Sequence, residues 1–188
     1  NETITLQIWD FNHFDKSDGS GKAGIVFGMK NLMKKTQQMN RYNDNNGWNN
    51  SYMKNTIMHD ILNSMTSDLQ SYIKEVNTYA NRGNRSTSPS GGLLSTDKVF
   101  LPGFGETCKD TNSAQCATES NQFQFPIFTN NNSRIKKLNN GSGNAQWWWL
   151  RSPWYDDVGY VSSIDENVGE GGCSLASNLA GVCFCFNI

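Results

Sequence analysis

The chain has 188 residues, with 16 Lys plus Arg against 17 Asp plus Glu, so one domain spanning 1–188 can bury a core. A net charge of −1 supplies no field to draw it to nucleic acid or an anionic membrane, and no run of about 18 apolar residues exists to insert into a bilayer. Aromatic residues are 12% and charged ones only 18%, which leaves Asn, Ser, Gly and Thr to build the polar surface. That palette fits a loop-rich extracellular or virion-surface protein and resembles paratope chemistry, rigid aromatics among small polar groups. The chain opens on Asn1 rather than Met and shows no signal peptide, as expected of a processed or truncated form.

Ile4, Leu6 and Ile8 alternate with Thr5 and Gln7, the period of a half-buried strand that Trp9 and Phe11 extend. AGIVFGM, residues 23–29, reads as a second strand. The stretch between them fails as a Walker-type phosphate loop, because Ala23 follows Lys22 and the upstream Gly is missing. It also fails as an EF-hand-type calcium loop, because counting from Asp15 puts Ser20 where Gly is needed. A strand-to-strand turn on Asp18-Gly19 is the better account. Over 52–65, Met53, Ile57, Ile61 and Met65, with Met58 and Leu62, line one face of a helix. Ser67 to Gln70 reads as a capping box opening a second helix, with Leu69, Tyr72, Ile73, Val76 and Ala80 as its buried stripe. His13 and His59 lack partner motifs and read as structural or surface residues.

Residues 81–92 form a turn-rich connector, followed by DKVFLPGF as a short strand. From 104 to 146 the chain reads as polar loop with FQFPIF as its apolar island, and NNNSRIKKLNNGSGN, with Arg134, Lys136 and Lys137, reads as a solvated loop or hairpin. Five cysteines form no CxxC pair. Cys108 and Cys116 flank a polar loop and could close it as a disulfide, depending on compartment. Cys173, Cys183 and Cys185 have no histidine near them in sequence, so no zinc site, metal or cofactor is expected.

Residues 147–188 differ from the rest. One basic residue, Arg151, stands against Asp156, Asp157, Asp165, Glu166 and Glu170, a local charge of −4 against +3 elsewhere. Such a region favours a basic or hydroxyl-rich partner. In WWWLRSPWYDDVGY, Trp148 and Trp149 read as core and Arg151 as a clamp on loop carbonyls or a buried acid. The residues from Trp154 to Tyr160 cannot all be buried without partners and read as a surface loop of hot-spot residue types. In GVCFCFNI, Val182, Phe184 and Phe186 share one strand face; Cys183, Cys185 and Asn187 share the other and meet a second layer or a pocket.

The WWLRSP block, the glycine-rich stretch with its Tyr-Val strand and the closing GVxFxF strand resemble the C-terminal half of a C-type lectin fold of bacterial and phage surface proteins. They look in particular like the variable proteins of diversity-generating retroelements. ITLQIWDFNHF, GWNNSYMKNTIMHDIL, STDKVFLPGF and FPIFTNNNSRIKKLNNGSG look like segments of the same bacterial and phage domain family, so the resemblance covers nearly the whole chain. It implies an α+β, C-type-lectin-like domain in which 147–188 is the variable, ligand-displaying region. In that class an error-prone reverse transcriptase replaces template adenines, so AAC codons become Tyr, Asp, Ser, Cys, Phe, Gly or Asn. Tyr155, Asp156, Asp157, Ser162, Ser163, Asn167, Cys173, Ser174, Ser177 and Asn178 are compatible with this, while Trp154, Glu166 and Glu170 are not reachable from such codons, and the family pattern has Gly where this chain has Cys185.

By resemblance, Trp148 to Pro153 and Val182, Phe184 and Phe186 would be scaffold. The display surface would be Trp154, Tyr155, Asp156, Asp157, Tyr160, Ser162, Ser163, Asp165, Glu166, Asn167, Glu170, Cys173, Ser174 and Asn178. The resemblance implies a non-enzymatic binding module whose partner is a cell-surface protein or glycan, with no calcium, since neither Glu-Pro-Asn nor Gln-Pro-Asp occurs. Two rivals are a fixed carbohydrate- or protein-binding adhesion domain and a structural surface protein using its last forty residues as an oligomer contact. A third is an oxidase similar to formylglycine-generating enzymes, suggested by Cys183 and Cys185. Those two cysteines are poorly spaced for an unstrained disulfide, and no general base is recognisable beside them.

Overall fold

A computed structural model describes residues 2–44, 47–83, 93–108, 114–117, 119 and 122–188, without the side chains of 116 and 117. The Cys108–Cys116 pairing and the connector from residue 84 to 92 lie outside that set. With 19% helix and 32% strand the fold is α+β. The strands are β1 (Leu6–Phe11), β2 (Ile25–Met29), β3 (Val76–Ala80), β4 (Leu93–Asp97), β5 (Val99–Phe100), β6 (Trp148–Pro153), β7 (Tyr160–Ile164), β8 (Gly171–Leu175) and β9 (Cys185–Asn187). Between β2 and β3 a π-helical segment (Met53–Met58) runs into α1 (His59–Ser64), and α2 (Ser67–Tyr72) follows. Two one-turn helices, α3 (Phe104–Thr107) and α4 (Ala114–Ala117), and a 3₁₀ turn (Asn131–Arg134) punctuate the long middle stretch.

The strands form antiparallel sheets ordered β1-β2-β9-β5, β3-β4 and β6-β7-β8. The terminal GVCFCFNI segment thus enters the middle of the largest sheet, with Phe186 opposite Phe27 on one side and Val99 on the other. Both of its faces are covered: Val182, Cys183, Cys185 and Asn187 are wholly inaccessible, and Phe184 and Phe186 nearly so. The cysteines meet packed protein, and the Cys185 thiol donates to the Phe100 carbonyl oxygen at 3.4 Å.

Four sequence expectations need correction. The alternation in β1 breaks between Ile8 and Asp10, where a bulge inserts Trp9. Trp9 turns into the core, against Gly28, where a Cβ would lie 2.1 Å from its ring, while Ile8 is 46% exposed. The second helix is capped one residue earlier than expected, by Thr66 Oγ1 accepting from Leu69 N at 3.3 Å, and it ends at Tyr72. Val76 and Ala80 are therefore not a helical stripe: with Thr78 they form the buried face of β3, each side chain two residues from the next, paired with β4 from Val76–Asp97 to Ala80–Leu93.

The fourth correction concerns Arg134 and Lys136, which are buried rather than solvated. Arg134 Nε donates to Thr107 O at 2.7 Å, satisfying an open carbonyl at the end of α3. Lys136 Nζ donates to Met29 O (2.7 Å) and Lys30 O (3.1 Å) where β2 ends, and lies 5.3 Å from the centroid of Trp9 and 5.9 Å from those of Phe128 and Trp148. Carbonyls and aromatic faces together replace its water shell. The Met53–Ile61 face packs inward as predicted, Met53, Met58 and Ile61 being buried.

Candidate functional site at the three-stranded sheet

β6 anchors this sheet. Trp148 and Trp149 are wholly buried, their indole N–H groups donating to Arg134 O (3.0 Å) and Gln37 O (2.9 Å). Arg151 is both kinds of clamp that its sequence context suggested. Nε donates to Tyr79 O (3.0 Å), Nη1 to Leu101 O (2.9 Å) and Glu106 Oε2 (2.7 Å), and Nη2 to Glu106 Oε1. Burial disfavours the guanidinium charge, but the charge and hydrogen bonds of Glu106 outweigh it and hold the Arg151 pKa above its ordinary value. Next to this pair, Glu119 accepts from Ser152 Oγ (2.8 Å) and Asn81 N (2.9 Å). Burial pushes the Glu119 carboxyl up to about 7, reinforced by like charge from Glu106 and opposed by its two donors and Arg151.

From this root the chain makes two turns, each tied by its own carboxylate. In the β6–β7 connection Asp157 Oδ1 accepts from Gly159 N (2.8 Å), and Trp154 N donates to Tyr160 O (3.0 Å). Buried Gln115 holds the same loop by donating to Pro153 O and accepting from Tyr155 N, each at 3.0 Å. In the β7–β8 turn Asp165 Oδ1 accepts from Asn167 N (2.8 Å) and Val168 N (2.9 Å). Gly169, at φ 65°, closes that turn so tightly on the 3₁₀ segment that a Cβ would lie 1.9 Å from Asn131 O.

Of the expected display residues, Asp156, Asn167, Glu170, Cys173 and Asn178 are exposed, and Trp154, Tyr155, Asp157, Tyr160, Asp165, Glu166 and Ser174 are half-buried. Ser162 and Ser163 are not displayed: they lie on β7, the central strand, at 0% and 6% exposure. The display residues also do not form one acidic loop. Asp165, Glu166, Asn167 and Glu170 sit at the turn end of the β7–β8 hairpin, and Trp154 to Asp157 with Asn178 flank its other end. The strand between them is roughly 13 Å long at ~3.3 Å per residue. Cys173, on the edge strand β8, is near Asp156 and Asp157; partial burial first, then those two charges, push its thiol up to about 11. The charge of Asp156 and a hydrogen bond to it likewise raise the Tyr155 hydroxyl pKa.

Supporting residues outside the last forty went unforeseen. Phe104 meets the Trp154 ring edge-on at 6.3 Å, and Asn43 Oδ1 accepts from Ser177 N at 3.3 Å and from its hydroxyl. A second concavity also escaped the sequence, a cleft of about 450 Å³ between the Met53–Ser64 helical run and the β4–β5 corner, containing Lys54, His59, Glu75, Asp97 and Lys98. No sequence motif joins these residues. Among the described residues no group of three or more His, Cys, Asp or Glu is arranged to hold a metal, and no helix is long and apolar enough to cross a membrane.

Residues 24–188 match the model of a family described as a domain of unknown function, DUF6273. The chain belongs to that family. β1, which precedes the matched segment, pairs with β2 inside it. No curated protein and no solved structure matches the chain.

Proposed function

We propose that this chain is a ligand-binding domain of C-type-lectin-like fold, displaying a retroelement-diversified surface at its three-stranded sheet. Its partner is a cell-surface protein or glycan met at a bacterial surface or phage virion. The observation that carries the reading is the division of labour in the last forty residues. Main-chain bonds and the carboxylates of Asp157 and Asp165 hold both turns, and the β6 root is fixed by Arg151 and Glu106. The side chains of Asp156, Asn167, Glu170, Cys173 and Asn178 can therefore change without disturbing the backbone. Asp157 and Asp165 become turn formers within the display region, where Asn or Ser can still supply the accepting oxygen. Ser162 and Ser163 drop out of the binding surface.

Aromatic anchors Trp154 and Tyr155, 5.6 Å apart, supply contact area, and the acids at the two ends of the hairpin supply selection for a basic or hydroxyl-rich partner. The oxidase alternative draws no support from its two cysteines. Cys183 and Cys185 are wholly buried, and burial raises both thiol pKa values, the opposite of a poised nucleophile. The test is to sequence the encoding locus. The proposal expects a second near-identical copy of the codons for 147–188, differing at adenines, beside a reverse-transcriptase gene. A locus with neither would leave a fixed binding domain and overturn the diversification.

A further inference from the structure

We infer that the cleft between α1 and the β4–β5 corner is a second binding site, for a small zwitterion with an apolar body, of the class of a free apolar α-amino acid. Its volume, about 450 Å³, falls in the range of roughly 300–1,000 Å³ usual for small-molecule pockets. Met58, Leu62 and Val99 add an apolar patch to an otherwise polar lining.

One wall is polar but already satisfied. Lys54 Nζ is 2.9 Å from Asp97 Oδ1, with the side chains 20% and 2% exposed. Asp97 also accepts from Thr78 Oγ1 (2.6 Å), Ser95 Oγ (2.7 Å) and Trp48 Nε1 (3.1 Å). The Lys54 ammonium further contacts Ser95 Oγ, Asn49 Oδ1 (3.2 Å) and Thr96 O (3.2 Å). Every donor and acceptor of this pair has a partner, so it is a fixed, neutral wall rather than a docking charge.

The charges left for a ligand are Glu75 and Lys98, both exposed and of opposite sign. Among the described residues neither belongs to an ion pair, although both line the same cleft. Glu75 Oε2 accepts from Ser17 Oγ at 2.7 Å, which leaves Oε1 for a ligand ammonium, and Lys98 is left for a ligand carboxylate. A ligand carrying both charges and an apolar side chain satisfies both rims and the lining at once.

The helical wall supports a site independently of charge. Lys54, Asn55 and Met58 are presented from the π-helical segment Met53–Met58. π geometry is rare and recurs at functional sites, because the inserted residue re-aims side chains at some loss of backbone stability. From this segment Lys54 reaches Asp97 while Met53 and Met58 stay in the core. The cleft contains none of the display residues, so this inference and the proposed function stand or fall separately.

The experiment is saturation-transfer NMR and calorimetry on the full chain with L-leucine, N-acetyl-L-leucine, which lacks the ammonium, and L-leucinamide, which lacks the carboxylate. Leucine should bind saturably and both analogues more weakly. Lys98→Ala and Glu75→Ala should each weaken leucine about five-fold, the scale of a solvent-exposed charge contact, with Tm unchanged because both side chains are exposed. Equal binding of either analogue, leucine affinity indifferent to both variants, or no saturable leucine binding would overturn the inference.

Discussion

β8 and β9 are short strands only ten residues apart in the chain, and they live in opposite environments. β9 lies between β2 and β5, and every one of its side chains is buried; β8 pairs with β7 alone, and each of its residues is exposed or half-buried. Both carry cysteine. Cys185 is wholly buried beside Phe100, whereas Cys173 reaches solvent. Place in the sheet, more than residue type, decides which side chains are packed in place and which stay open to solvent.

The largest break in the comparison should come at the root. Arg151→Ala leaves Glu106 buried without its cation, and urea unfolding should register a loss on the order of 3–5 kcal/mol. A smaller effect should separate two glycines of one hairpin. Gly169→Ala combines a positive φ with a Cβ against Asn131 O and should cost about 2 kcal/mol or more. Gly172→Ala, with open space at its Cβ, should stay within ~0.5 kcal/mol. Equal losses at the two sites would remove the distinction between the fixed turn and the free edge.

Glu119 sharpens the comparison through pH. Its folded pKa of about 7 lies above the ordinary carboxyl value of 4.5, so its stabilising contribution is complete below pH 4.5 and is lost as pH rises through 7. Chemical denaturation between pH 5 and 8 should show declining stability, and Glu119→Gln should flatten that slope and gain on the order of 1–3 kcal/mol over the parent chain at pH 8. A slope unchanged by the variant would mean that another group sets it. The smallest effect lies at the edge strand. With its thiol pushed up to about 11, Cys173 should react with iodoacetamide at pH 8 more slowly than free cysteine, and Asp156→Asn with Asp157→Asn should speed it a few-fold.

Much of the scaffold was legible because its signals are local. The β1–β2 pair, the Met53–Ile61 apolar face, the buried tryptophans, the Arg151 clamp and the terminal strand each announce themselves by spacing or by residue type. What escaped depends on distant partners. Val76 and Ala80 suit a helix stripe as well as a strand, and β4, thirteen or more residues downstream, decides between them. The inward place of the Trp9 ring depends on the missing side chain of Gly28 across the sheet, and the burial of Lys136 on carbonyls more than a hundred residues away. The residues expected on the display surface are only partly exposed: nothing local marks Ser162 and Ser163 as central-strand residues or divides the acids between two ends of a hairpin. The cleft was invisible because Lys54 and Asp97 meet only through tertiary packing.

The central claim, a tolerant display surface on an intolerant root, is tested most directly by randomising two matched sets and sorting each for folded chains by protease resistance. One set is Asp156, Asn167, Cys173 and Asn178; the other is Trp149, Arg151, Ser152 and Ser162. The account predicts that most members of the first library resist protease as the parent does and differ in which cell-surface glycans or proteins they capture, while most members of the second are digested. Equal survival of the two libraries, or a first library that folds but captures nothing different from its parent, would contradict it.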